Sequence, residues 1–136
     1  MGCVERKPED KLKGKHILAV EDYPLMGALL MDILKQYDHA SYARSGKEAI
    51  KEIKKKLPDI VLLDVSLPDM SGLEIARQLR SNQRTKSIPI LAMSGSQIEK
   101  KACLEAGCND FILKPFDTSE LLAQLAKLVA HPRGHH

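Results

Sequence analysis

The chain has 136 residues, a length that suits one domain around one core. Hydrophobic residues make up 43% but aromatic ones only 4%, with no Trp, so the core must be mostly aliphatic and an aromatic platform for stacking nucleic-acid bases is not expected. The formal net charge of +3 is too small to point to a nucleic-acid partner. No apolar run approaches the ~20 residues of a membrane span, and residues 1–15 are too polar for a signal peptide.

Residues 1–14 are charged and carry Pro8 and Gly14, which predicts a flexible tail or linker. Met1-Gly2-Cys3 looks like an acylated start, but Arg6 stands where a myristoylation signal has Ser or Thr. His16–Val20 is the first predicted strand, and Glu21-Asp22 follows it directly. Pro24 fits a first helical turn, and Leu25, Met26, Leu29, Leu30, Ile33 and Leu34 give helical spacing through to Gln36. Ala40–Ala43 is a weaker second strand. Ser45-Gly46-Lys47-Glu48 matches a capping box that opens a helix with Ala49, Ile50 and Ile53 on one face. The lysines in Lys51-Glu52-Ile53-Lys54-Lys55-Lys56 read as its solvated face, and Pro58 ends it.

Ile60–Leu63 has no polar alternation, the mark of a strand buried on both faces, and it ends in Asp64. Ser71-Gly72-Leu73-Glu74 is a second capping box, with Ile75, Ala76 and Leu79 behind it. Ile88–Met93 is the fourth strand and leads to Ser94. Ser96-Gln97-Ile98-Glu99 is a third capping box, and Ala106-Gly107 supplies that helix with its terminal glycine. Asp110–Leu113 is the fifth strand, followed by Lys114-Pro115. Asp117 caps a last helix whose stripe is Leu121, Leu122, Leu125, Leu128 and Val129. Cys3, Cys103 and Cys108 form no ligand pattern and read as reduced thiols of a cytoplasmic protein. Residues 15–130 form one domain, and residues 131–136 a tail whose Gly134-His135-His136 suggests a purification-tag remnant.

Five strands alternating with five helices predict an α/β fold: one doubly wound (βα)5 domain with a parallel sheet covered on both faces. Right-handed crossovers then bring every strand's C-terminal end to one edge. Glu21, Asp22, Asp64, Ser94 and Lys114 become neighbours there. Three carboxylates at close range need a cation, and oxygen-only ligands suit a hard ion, Mg²⁺ above all. Each residue alone also fits a structural role. Asp64 fits a helix cap, Glu21-Asp22 a solvated loop, Lys114 a surface lysine, and Ser94 or Ser96 an N-cap.

The five positions in this order resemble the receiver domains of two-component response regulators. The resemblance covers about Lys15 to Ala130 and includes Pro68 and Gly72 after Asp64, and Phe116 after Lys114-Pro115. It implies a flavodoxin-like sheet in the order 2-1-3-4-5. It implies that Asp64 accepts a phosphoryl group from a phosphohistidine on a sensor histidine kinase or phosphotransfer domain. It further implies that Asp22, Asp64 and the Ser66 carbonyl bind Mg²⁺, with Glu21 reaching it through water. Lys114 would pair with a phosphoryl oxygen, Ser94 and Phe111 would switch on activation, and the Lys114–Pro115 peptide would be cis. Such a domain catalyses its own phosphorylation and dephosphorylation and is not by itself a turnover enzyme. The resemblance implies a bacterial signalling protein, either free-standing or cut from a longer protein such as a hybrid histidine kinase. A phosphorylation-independent pseudo-receiver is the alternative, and a flavodoxin-like cofactor binder is disfavoured because Glu21-Asp22 would repel a flavin phosphate.

Several positions depart from the usual pattern. Glu21 stands where Asp is commoner. Ser66 and Ser96 occupy places thought to tune dephosphorylation, and Phe111 lacks a hydroxyl. The last helix lacks the arginines that DNA-binding members use to dimerise, so no direct DNA binding and an unknown downstream protein target are expected. The surface expected to respond spans Gln97–Ala106, Asp110–Leu113 and the last helix.

Overall fold

The computed structural model describes residues 7–37 and 39–130. Five strands, β1 (His16–Val20), β2 (His39–Ala43), β3 (Ile60–Asp64), β4 (Ile90–Ser94) and β5 (Asp110–Leu113), form one sheet in the order β2-β1-β3-β4-β5. Every pairing is parallel. Five helices connect or follow them: α1 (Pro24–Leu34), α2 (Gly46–Lys55), α3 (Gly72–Arg80), α4 (Lys100–Ala106) and α5 (Thr118–Ala130). The order of strands reverses between β1 and β3, so the crevice beyond their C-terminal ends is where an open α/β sheet places its ligand site.

Alternation along each strand divides the core into two layers. Leu18, Val20, Val61, Leu63 and Ala92 face a cluster that includes Ile53 of α2, Ile75 and Leu79 of α3 and Cys103 of α4. Ile17, Ala19, Leu62, Leu91 and Met93 face Leu30 and Leu34 of α1 and Leu121 and Leu125 of α5. β3 and β4 are buried at every position, which explains their unbroken apolar runs, whereas β2 at the edge of the sheet is buried only at Ala43.

Two of the three predicted capping boxes form caps. The Ser45 hydroxyl accepts the Glu48 N–H at 3.2 Å, and Ser71 accepts the Leu73 N–H at 3.1 Å. Glu48 reaches back to the N–H of Arg44, one residue earlier than a strict box. The third box does not form. Gln97–Glu99 is a 3₁₀ turn and α4 begins at Lys100. The Glu99 carboxylate is engaged by the Ser94 hydroxyl, and the Ser96 N–H donates to Ser94 Oγ at 3.0 Å. Both groups of the expected box therefore have partners in β4 instead of in each other. Asp117 caps α5, accepting the Glu120 N–H at 2.8 Å.

The expected tail over residues 1–14 is corrected from Pro8 onward. Pro8–Leu12 form a 3₁₀ turn that packs on α5, and Leu12 is fully buried in the α1–α5 layer. One leucine in a charged stretch has no periodicity to announce it, yet the gap beside α5 takes it in. β4 starts at Ile90, two residues after the sequence expectation, although Ile88 is buried as well. Residues 1–6, with Cys3, and residues 131–136 lie outside the described part.

Candidate functional site

β1, β3 and β5 all end at the same edge, and each delivers a charge there. A strand buried on both faces has room for an ionised side chain only where it leaves the sheet. One oxygen each of Glu21, Asp22 and Asp64 lie within 4.8 Å of one another. Lys114 reaches across 93 positions of sequence to place Nζ 2.8 Å from Glu21 Oε1 and 3.4 Å from Asp64 Oδ2. Glu21 is fully buried and Asp64 is 4% exposed, while Asp22 reaches solvent.

Glu21 is held on every side. Its N–H donates to the Ala43 carbonyl, its own carbonyl accepts from the Tyr42 hydroxyl at 2.7 Å, and its Oε2 accepts the Tyr23 N–H at 3.2 Å. Tyr42 lies so close to α1 that a Cβ on Gly27 would sit 2.2 Å from its oxygen, so only glycine lets helix and ring meet. Asp64 Oδ1 accepts the Ser66 N–H at 3.0 Å. Gly72 is demanded by the same loop: a Cβ there would be 2.3 Å from the Asp64 carbonyl oxygen. The Asp69 carboxylate bonds the N–H groups of Gly46 and Lys47, tying the loop after β3 to the start of α2.

Two acids beside one ammonium titrate as a unit. Burial opposes the charge on Glu21, but hydrogen bonds with Asp64 and Lys114 outweigh it and hold the carboxyl below its ordinary range. Burial first, and the Glu21 carboxylate next, push Asp64 up to about 7. Burial also disfavours the Lys114 ammonium, yet its bond to Glu21 and the charge of Asp64 keep its pKa above the usual lysine range. Lys114 thus keeps one acid ionised while the other retains a proton near neutrality. Once Asp64 is ionised, three carboxylates against one ammonium leave two negative charges, which a divalent cation would neutralise, and the donors are all oxygen. The residues fit Mg²⁺.

The remaining predicted positions divide. Ser94 ends β4 beside the cluster, and its carbonyl accepts the Lys114 N–H at 2.8 Å. Its hydroxyl, however, bonds Glu99 and Ser96 rather than Glu21 or Asp64. Ser66 meets Asp64 through its amide. Phe111 pairs with Ala92 in the sheet and is buried in the α2–α4 layer. The Lys114–Pro115 peptide is cis. Tyr42, Asp69 and Glu99 were not singled out from sequence as site residues. A tyrosine at a strand end and an aspartate in a loop carry no local signal of these bonds, and Glu99 was visible only as a capping residue.

The profile of the response regulator receiver domain matches residues 17–126. The chain belongs to this family. This receiver domain is 32% identical over 117 residues to the chemotaxis protein CheY of Thermotoga maritima, covering 85% of this chain and 98% of that protein. It is 34% identical over 115 residues to the hybrid signal transduction histidine kinase D of Dictyostelium discoideum, covering 83% of this chain but only 7% of the kinase. Among solved structures, a response regulator from Chloroflexus aurantiacus superposes with a TM-score of 0.82 at 34% identity, over 88% of this chain and all of that one. The receiver domain of a sensor histidine kinase from Pseudomonas aeruginosa gives 0.79 at 28% identity, over 86% and 98% of the two chains, and holds a magnesium ion in its active-site cleft. The receiver fold is therefore shared with both stand-alone regulators and kinase-borne domains. No helix among the described residues is long and apolar enough to cross a membrane.

Proposed function

We propose that this receiver domain takes a phosphoryl group from a phosphohistidine onto Asp64 and reports it through its surface. The carrying observation is the placement of the Asp64 carboxylate at the sheet edge, within 4.8 Å of two further carboxylates and 3.4 Å from Lys114. An Asp64 oxygen attacks phosphorus, the P–N bond to the donor imidazole breaks, and its electron pair stays on the imidazole nitrogen. Phosphoryl transfer spreads negative charge over equatorial oxygens, so positioning and nearby cations do most of the work. Asp22, Asp64 and the Ser66 carbonyl would hold Mg²⁺, with Glu21 reaching it through water, and the ion would supply positive charge to the transferring oxygens. Lys114 supplies a second cation. In the resting protein it is bonded to Glu21, so Glu21 keeps the ammonium at the site while no phosphoryl group is there. Asp64 must be ionised to attack, and a cation beside it would stabilise the carboxylate against the burial and the Glu21 charge that raise its pKa.

The donor docks on α1 and the rim of the site. Tyr23, Leu25 and Leu29 there are 58%, 71% and 49% exposed, an apolar face that the domain's own core leaves uncovered. The reporting surface is α4, β5 and α5, where Ser94 and Phe111 meet the interior, and the domain acts through a protein target without binding DNA itself.

The test is intact mass after incubation with acetyl phosphate. One added phosphoryl group is expected in Mg²⁺ and none in EDTA. Asp64→Asn should abolish uptake and Asp22→Ala should reduce it severely. Uptake that survives Asp64→Asn overturns the acceptor assignment, and no uptake by the wild type favours a phosphorylation-independent module.

A further inference from the structure

Ser94 is 3% exposed at the end of β4, and its backbone is fixed. Its carbonyl accepts the Lys114 N–H at 2.8 Å, and the preceding carbonyl, of Met93, accepts the Val65 N–H at 3.0 Å. The movable part is the hydroxyl. Its oxygen accepts the Ser96 N–H at 3.0 Å, and its one proton is donated to the Glu99 carboxylate, which when ionised can only accept. The Ser96 carbonyl, at 3.4 Å, is the more distant alternative. Among the described residues the hydroxyl makes no hydrogen bond to the side chains of Glu21, Asp64 or Lys114.

Glu99 is the last residue of the 3₁₀ turn and immediately precedes α4. Its N–H closes that turn on the Ser96 carbonyl at 3.2 Å. Its carboxylate reaches the buried Ser94 hydroxyl, and after burial its charge is the further cause that raises the thiol pKa of buried Cys103 on α4. Glu99 therefore stands between the Ser94 hydroxyl and the first turn of α4, while Ile98 beside it is 90% exposed.

We propose that Glu99 is a positioning residue that holds the Ser94 hydroxyl on the α4 side until a phosphoryl oxygen on Asp64 takes its proton as a hydrogen bond. The inference rests on the reading of Asp64 as acceptor. One hydroxyl proton serves either the carboxylate or the phosphoryl oxygen. The two acceptors therefore compete, and capture by the phosphoryl group releases Glu99 and the Gln97–Glu99 turn. The competition gives Asp64 a direct connection to the start of α4 that needs no movement of the β4 backbone. It also sets a bias: the stronger the Glu99 bond, the more the resting arrangement is favoured.

Beryllofluoride with Mg²⁺, a phosphoryl mimic, titrated against amide chemical shifts, tests this. Glu99→Ala is expected to bind it about tenfold tighter than wild type, since one charge-assisted hydrogen bond no longer competes. Glu99→Gln keeps a neutral acceptor and should fall between the two. Before any mimic is added, Glu99→Ala should already move the Ser96 amide resonance, because that N–H bonds the freed hydroxyl. Deleting a negative charge near an anion site also tightens binding by simple repulsion, and Ser94→Ala separates the two causes. In that background Glu99→Ala should change affinity by less than about twofold. An equal gain with and without Ser94, or no gain in Glu99→Ala, overturns the positioning role. Wild type that takes up no beryllofluoride overturns the acceptor reading itself, and this inference with it.

Discussion

Replacing Asp64 by Asn should stabilise the protein at pH 8 in the absence of metal, although it removes the proposed acceptor. Asp64 is 4% exposed and its carboxyl is raised from 3.8 to about 7, by burial first and by Glu21 next. A group whose folded pKa exceeds its unfolded value stabilises fully below the unfolded pKa, and that stability is lost as the pH rises through the folded value. The window thus runs from about pH 4 to about pH 7. Three pH units at ~1.4 kcal/mol each set a ceiling of about 4 kcal/mol, and sharing of the proton with Glu21 brings the expected effect to about 2 kcal/mol. Glu21 itself is lowered from 4.5, so its contribution is present above that value and is lost only in more acid solution, at and below the acid end of this window. Asn resembles the protonated acid, and its Oδ1 still accepts the Ser66 N–H. The gain at pH 8 corresponds to roughly 8 °C in Tm for a domain of this size and should vanish toward pH 4. Thermal unfolding followed by circular dichroism in EDTA, at pH 4.5, 6 and 8, reads it directly. Mg²⁺ should then narrow or reverse the ranking, because it binds the wild-type cluster more tightly and stabilises it by mass action. If Asp64→Asn melts below wild type at pH 8 in EDTA, or the gap is the same at pH 4.5 and pH 8, the electrostatic account of the cluster is wrong.

Gly72→Ala places a Cβ 2.3 Å from the Asp64 carbonyl oxygen, so backbone must shift; a loss of about 2 kcal/mol in urea unfolding and slower acetyl phosphate uptake are expected. Wild-type values for both would show that the loop after β3 is not held as described. Leu12→Ala opens a cavity under α5 and should cost about 2–4 kcal/mol, read as a lower urea midpoint with an unchanged slope. A midpoint within error of wild type would return Pro8–Leu12 to the status of a tail. Leu25→Lys or Leu29→Glu on the exposed face of α1 should slow transfer from a phosphohistidine donor at least ~10-fold, through lost apolar contact, and leave acetyl phosphate uptake intact. Unchanged transfer removes the docking surface.

Which residues would meet at the site was legible in the sequence. Ile60–Leu63 is apolar without a break because both faces of β3 are covered, and Asp64 is charged because it is where the strand leaves that cover. The same logic marks Glu21-Asp22 after β1 and Lys114 after β5. Parallel crossovers then leave one edge for all of them. The N-caps at Ser45 and Ser71 were legible for a related reason: their partners are two or three residues away, so spacing alone brings them into reach.

What each charge and proton bonds to was decided only by the packed fold. Lys114 lies nearer to Glu21 than to Asp64, at 2.8 against 3.4 Å, a choice set by how β1, β3 and β5 align. The box at Ser96 is locally as good as the other two, but β4 delivers the Ser94 hydroxyl to Glu99 and the Ser96 amide to Ser94. Leu12 is buried because α5 lies beside it, and Tyr42 holds the Glu21 carbonyl because β2 runs beside β1. Spacing along the chain determines which residues leave the strands at a common edge. Distances between elements far apart in sequence determine which partners they find there, and no periodicity encodes those distances.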